Sequence, residues 1–142
     1  MNQIIVVLLA CISLFALFGS PSPGTEPSET PPAQVETKGQ YRKISAAEAK
    51  SMMDEIDGYI LLDVRTEEEF LEKRINGSIL IPDYEIADRV EKELPDKDAL
   101  ILVYCRSGRR SANASNELCS MGYTNVYDFG GIIDWPYETV AE

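Results

Sequence analysis

One stretch gathers the residue types that can do covalent chemistry: LVYCRSGRRSANAS, from Leu102 to Ser115. It ends an apolar run with a thiol, sets three arginines around a glycine, and continues in a pattern that reads as a helix. A cysteine in that setting is a candidate nucleophile. A helix N-terminus carries about half a unit of positive charge, the guanidinium groups add to it, and both favour an anionic sulfur. Backbone N–H groups of a short loop entering a helix can also curl around whatever projects from Cys105. Gly108 allows the turn where a side chain would obstruct it. A cysteine that merely packed at a strand end would have no use for so charged a loop. Arg109, between the two loop edges, is expected to face solvent.

The rest of the composition narrows the chemistry. Histidine is absent, so neither the commonest metal ligand nor the usual general base near neutral pH is present. The three cysteines, Cys11, Cys105 and Cys119, form neither a CxxC pair nor a zinc spacing, and no metal is expected. A formal charge of −11 argues against nucleic acid as a partner, because phosphate binding needs a dominant basic stripe.

The elements that must position the loop follow from periodicity. RKIS reads as a brief strand, and Ser45 with Glu48 three residues on has the capping-box spacing for a helix through AAEAKSMMDEI. YILLDV, Tyr59 to Val64, is a continuous apolar run of the kind buried on both faces of a sheet. Thr66 caps a short helix over Glu67 to Glu72, and SILIP is a third strand ended by Pro82. YEIADRVEKEL places Ile86, Val90 and Leu94 on one side of a helix, and ALILVY, Ala99 to Tyr104, is the strongest strand signal. A helix from about Arg109 to Met121 stops at Gly122, NVYDF makes a fifth strand, and GGIIDWPYETV closes the domain. Strands alternating with helices predict an α/β fold, a mainly parallel five-stranded sheet with helices on both faces. Ligands bind beyond the carboxyl ends of such strands, which is where Cys105 stands.

Three segments are expected along the chain. Residues 1–24 contain the apolar run Ile4 to Phe18, long enough for a signal-peptide core but shorter than the roughly 20 residues that span a bilayer. They read as a signal peptide, cleaved or retained as a membrane anchor, with LLAC ending at Cys11 as a weaker lipobox. Residues 25–40 are a Pro, Ser, Thr and Glu-rich linker too polar to order itself. Residues 41–142 form one domain, expected to be monomeric and exported.

From about Tyr41 onward the chain resembles a single rhodanese domain, a three-layer sulfurtransferase fold. Four segments carry the resemblance: LLDVRTEEEF with Asp63, Arg65, Glu69 and Phe70, RINGSILIP, the loop CRSGRR, and GGIIDW. Where many members have Gly-His-Ile, this sequence has Lys73, Arg74 and Ile75. The resemblance implies that Cys105 takes up a sulfane sulfur as a persulfide. It also implies that Arg106, Ser107, Gly108, Arg109 and Arg110 form the persulfide and substrate cradle. Thiosulfate or a similar donor, a thiol or cyanide acceptor, and no cofactor are what it implies for partners. A persulfide carrier or sensor working with a partner protein is the alternative. Phosphatase-like chemistry is disfavoured, since related phosphatases use a loop one residue longer and Ser111 stands where their arginine would be. Asp63 and Arg65 are read as structural, with Arg65 paired to Glu69. Gly130, Gly131 and Trp135 are read as turn and packing residues. Cys119 is read as a buried helix cysteine. About nine helical residues put it roughly 14 Å from the loop, past the ~7 Å limit for a disulfide.

Overall fold

Adjacent apolar residues in an extended strand point to opposite faces, so LL in one strand and LV in another require hydrophobic layers on both sides. The computed structural model describes residues 39–142 and shows both layers. The chain runs β1 (Arg42–Lys43), α1 (Ala46–Glu55), β2 (Ile60–Asp63), α2 (Glu67–Glu72), β3 (Ile79–Leu80), α3 (Ile86–Glu93), β4 (Ile101–Cys105), α4 (Arg109–Ser120) and β5 (Val126–Gly131). All strand pairings are parallel, in the order β1-β5-β4-β2-β3. Leu62, Val103, Cys105 and Val126 meet Ile86 and Val90 of α3 and Ala114 and Leu118 of α4. On the other face Leu61, Leu102, Tyr104 and Phe129 meet Ala49 of α1 together with Ile132 and Trp135. Each fully buried aliphatic side chain contributes about 1.5–3 kcal/mol.

Strand order explains the position of the thiol. After β2 the chain moves outward to β3, returns to the centre for β4, and then moves the other way to β5. The carboxyl end of β4 is therefore the point where the direction of winding reverses, the usual ligand crevice of such sheets. Cys105 has the parity of Ile101 and Val103, which turns its side chain toward α4 rather than α1.

The anticipated capping box of Ser45 with Glu48 is present, and the Thr66 cap is also a capping box, with Glu69. Several boundaries differ from expectation. The segment beginning at Tyr84 splits into a 3-10 turn, Asp83–Glu85, and α3, because Pro82 enters the turn in an extended conformation. β4 starts at Ile101 rather than Ala99, since the Asp96 carboxylate accepts the Asp98 N–H (2.9 Å) and bends the approach. It also runs one residue further, through Cys105. The expected leader, the Cys11 lipobox and residues 25–38 of the linker lie outside the described residues. Among the described residues no helix is long and apolar enough to cross a membrane.

The pairing expected for Arg65 is corrected. Its guanidinium meets Asp63, with Nε to Oδ1 at 2.9 Å and Nη2 to Oδ2 at 2.6 Å, and Nη2 also donates to the Lys73 carbonyl (2.6 Å). The reason is local: Asp63 ends β2 with its side chain already accepting the Arg65 N–H (3.0 Å), so the guanidinium two residues on folds back over it. Both residues are buried. Arg65→Met leaves a buried carboxylate without its cation and is expected to cost about 3 kcal/mol. Urea unfolding would show a lower midpoint at unchanged slope, and an unaltered midpoint would refute the structural role.

Candidate active site

The loop after β4 is held from beneath by β5. Register between the two strands slips after Val103↔Asp128, so that Cys105 faces Gly131 across a bulge. Gly130 makes the bulge with φ of 92°, and its N–H is fixed by the Asp128 carboxylate at 2.9 Å. Gly131 has another reason to be glycine: a Cβ there would lie 2.3 Å from the Arg106 carbonyl oxygen and 2.6 Å from the Ser107 Cα. The loop thus rests directly on β5 backbone, and the Ile133 N–H donates to the Arg106 carbonyl (3.2 Å). Gly108, with φ of 97°, turns the chain into α4.

This arrangement encloses the sulfur. Cys105 is 1% exposed, and the Gly108 N–H donates to its Sγ at 3.0 Å. The Ser111 hydroxyl lies 3.5 Å from Sγ and is itself fixed by the carbonyls of Gly108 (3.1 Å) and Gly130 (3.3 Å). Ala112 is the residue whose N–H bonds back to Gly108, so the preceding N–H groups of α4 have no helical partner and open toward the loop. Cys119 is a separate free thiol, buried in α4, whose titration is pushed up by desolvation.

The predicted site residues divide by environment. Cys105 is buried, Gly108 and Arg110 are partly buried, and Arg106, Ser107 and Arg109 are exposed. Arg109 faces solvent as expected, and Arg106 does so as well. Arg110 is held by an acid. It forms a two-pronged pair with Glu69, both N···O distances being 2.8 Å. Glu69 is the carboxylate expected to serve Arg65. It bonds across from α2 because the Thr66 capping box fixes it at the helix start facing the loop. Ser111 and Glu69 are the site neighbours that sequence reading left out of the site. Ser111 had a signal in its position one past the last arginine, whereas no spacing rule links Glu69 to Arg110, 41 residues away.

Arg110, aided by Thr66 and opposed by desolvation, draws the Glu69 carboxyl from 4.5 down to about 2. A depressed folded-state pKa gives stability that is complete above about pH 4.5 and is lost as pH falls toward 2. Both side chains are about four-fifths buried, and the pair is worth about 2 kcal/mol after allowance for screening. Urea unfolding of Glu69→Gln and the unchanged protein should therefore differ at pH 6 and converge near pH 2. A difference independent of pH would exclude the ion pair as its source. Gly131→Ala is expected to lose at least about 2 kcal/mol and to alter the alkylation rate of Cys105, because the inserted methyl displaces the loop. An unchanged rate and stability would show that the contact yields freely.

Comparison with known proteins gives a consistent family. The thiosulfate sulfurtransferase PspE of Escherichia coli (strain K12) is 40% identical over 73 residues, covering 51% of this chain and 70% of that protein. The thiosulfate sulfurtransferase GlpE of Pseudomonas savastanoi pv. phaseolicola is 30% identical over 106 residues, covering 71% of this chain and 96% of that one. The crystal structure of a rhodanese-related protein from Thermoplasma volcanium is similar at a TM-score of 0.63 and 35% identity, across 72% of this chain and all of the other. With residues 45–136 matching the family model described as Rhodanese-like domain, the chain belongs to the rhodanese-like domain family.

Proposed function

We propose that the chain is an exported sulfurtransferase that carries a sulfane sulfur from thiosulfate or a similar donor to a thiophilic acceptor through a persulfide on Cys105. The observation that carries the reading is the enclosed Sγ at the N-terminus of α4, held by the Gly108 N–H (3.0 Å) with the unbonded helix amides beyond it. Relatives named thiosulfate sulfurtransferase support the sulfurtransferase class. The apolar run from Ile4 to Phe18 supports export.

In the first half-reaction the Cys105 thiolate attacks the outer sulfur of thiosulfate. An S–S bond forms to Cys105, the S–S bond of the donor breaks, and sulfite departs with the bonding pair. The terminal persulfide sulfur is an anion projecting from Sγ, and the amides at the start of α4 together with the helix dipole stabilise it. In the second half-reaction cyanide or a thiolate attacks that outer sulfur and Cys105 leaves as thiolate. This is covalent catalysis with one activated nucleophile, using protein groups alone. Ser111 keeps the sulfur in place from the helix side. Phosphoester chemistry is poorly served: Arg110 is engaged by Glu69, and Ser111 occupies the following position beside Sγ.

Sulfur transfer from thiosulfate to cyanide, with intact-mass measurement after donor alone, tests the proposal. The protein should turn over and gain the mass of one sulfur, and Cys105→Ser should lose both. A mass gain without turnover would favour a persulfide carrier. Turnover that survives in Cys105→Ser would place the chemistry elsewhere.

A further inference from the structure

Beside the loop lies a cleft of about 250 Å³ between the C-terminal end of α2 and the turn after β5. Its charged lining comes from Arg65, Glu69, Glu72, Lys73 and Arg106, and Ile133 forms an apolar wall that is 63% exposed. Most of that charge is already committed: Arg65 is held by Asp63, and Glu69 by Arg110. Among the described residues neither Lys73 nor Arg106 has a carboxylate partner, and Glu72 is the one lining acid without a cation. The cleft is left with two free cations against one free anion.

Both cations stand on fixed backbone. Lys73 caps α2, and its carbonyl is tied to the buried Arg65 guanidinium at 2.6 Å. The Arg106 carbonyl is tied to the Ile133 N–H at 3.2 Å, and Arg106 directly follows Cys105. We infer that Lys73 and Arg106 together form an oxyanion subsite at the mouth of the Cys105 loop, taking the sulfonate of a sulfur donor or the carboxylate of an acceptor thiol. The inference rests on the sulfurtransferase reading for the order of events at Cys105, and it assigns to Lys73 a binding role of its own. Two cations and an apolar wall line one cleft between helix and loop, and one of the cations directly follows the thiol in the chain. Neither Arg65 nor Arg110 has a free charge for this.

Amide chemical-shift titration in a Cys105→Ser background reads the subsite without turnover. Thiosulfate, mercaptoacetate and uncharged mercaptoethanol are titrated into that protein and into its Lys73→Gln and Lys73→Arg derivatives. Lys73→Gln should weaken at least one of the two anions by about threefold, the scale of one exposed charge pair, with Lys73→Arg restoring most of the affinity. Mercaptoethanol should be unaffected. Loss confined to thiosulfate assigns the subsite to the donor sulfonate, and loss confined to mercaptoacetate assigns it to the acceptor carboxylate. Equal affinity of both anions for Lys73→Gln and its parent overturns the inference. So does failure of the parent to bind either anion, or a loss shared by mercaptoethanol. Persulfide formation by the protein with Cys105 intact is followed in parallel. Its absence counts against the sulfurtransferase reading, and the titrations still decide the subsite.

Discussion

The Arg106 carbonyl oxygen lies 2.3 Å from where a side chain at position 131 would begin, and the active loop keeps its place because nothing occupies that gap. A loop resting on bare strand backbone is set by hard contacts rather than by side chains that can change rotamer. From this contact follow the direction of Cys105, the close turn at Gly108, and the entry of α4 behind a cap residue whose N–H donates to the sulfur. The Gly130 bulge is what brings Gly131 opposite Cys105. Asp128, buried beneath, fixes the bulge by taking the Gly130 N–H.

Charge around the loop is sorted by the same geometry. The sequence presents five cations near Cys105 in space or in order, Arg65, Lys73, Arg106, Arg109 and Arg110, and the fold spends two of them internally. Arg65 is buried against Asp63, where solvation is lost and a partner is obligatory. Arg110 ties the start of α4 to the start of α2, so that the loop is clamped laterally by an ion pair as well as supported from below by β5. The remaining positive potential comes from Arg106, Arg109, Lys73 and the helix terminus. An anion that approaches the thiol is met by exposed guanidinium and ammonium groups at the rim and by backbone dipoles inside. In the proposed reaction, selection by charge is assigned to the rim and stabilisation of the transferred sulfur to the enclosure.

Much of this was legible in the chain. Apolar runs at Tyr59–Val64 and Ala99–Tyr104, the Ser45 capping box, the Thr66 cap, and the glycine at 122 placed strands and helices to within a residue or two, because these signals are local. Errors arose where a side chain met backbone close by and shifted a boundary, as with Asp96 before β4 and Pro82 before α3. The pairing of Arg65 failed for a different reason. Two carboxylates, Asp63 and Glu69, stood within reach along the sequence, and the choice between them depended on which one α2 turned toward the loop.

The sequence by itself determined the fold class, the thiol at the end of β4 and the loop that follows it, since hydrophobic period, cap spacing and the order of four short motifs are properties of neighbouring residues. Tertiary structure alone decided which arginine stays free, why residue 131 has no side chain, and that Ser111 shares the sulfur's enclosure. These depend on contacts between segments far apart in the chain, Glu69 with Arg110 and Gly131 with Arg106, and packing distance is not written in any local pattern. Lys73 belongs to the same group. It is an unremarkable surface lysine until α2 and the β5 turn close a cleft around it.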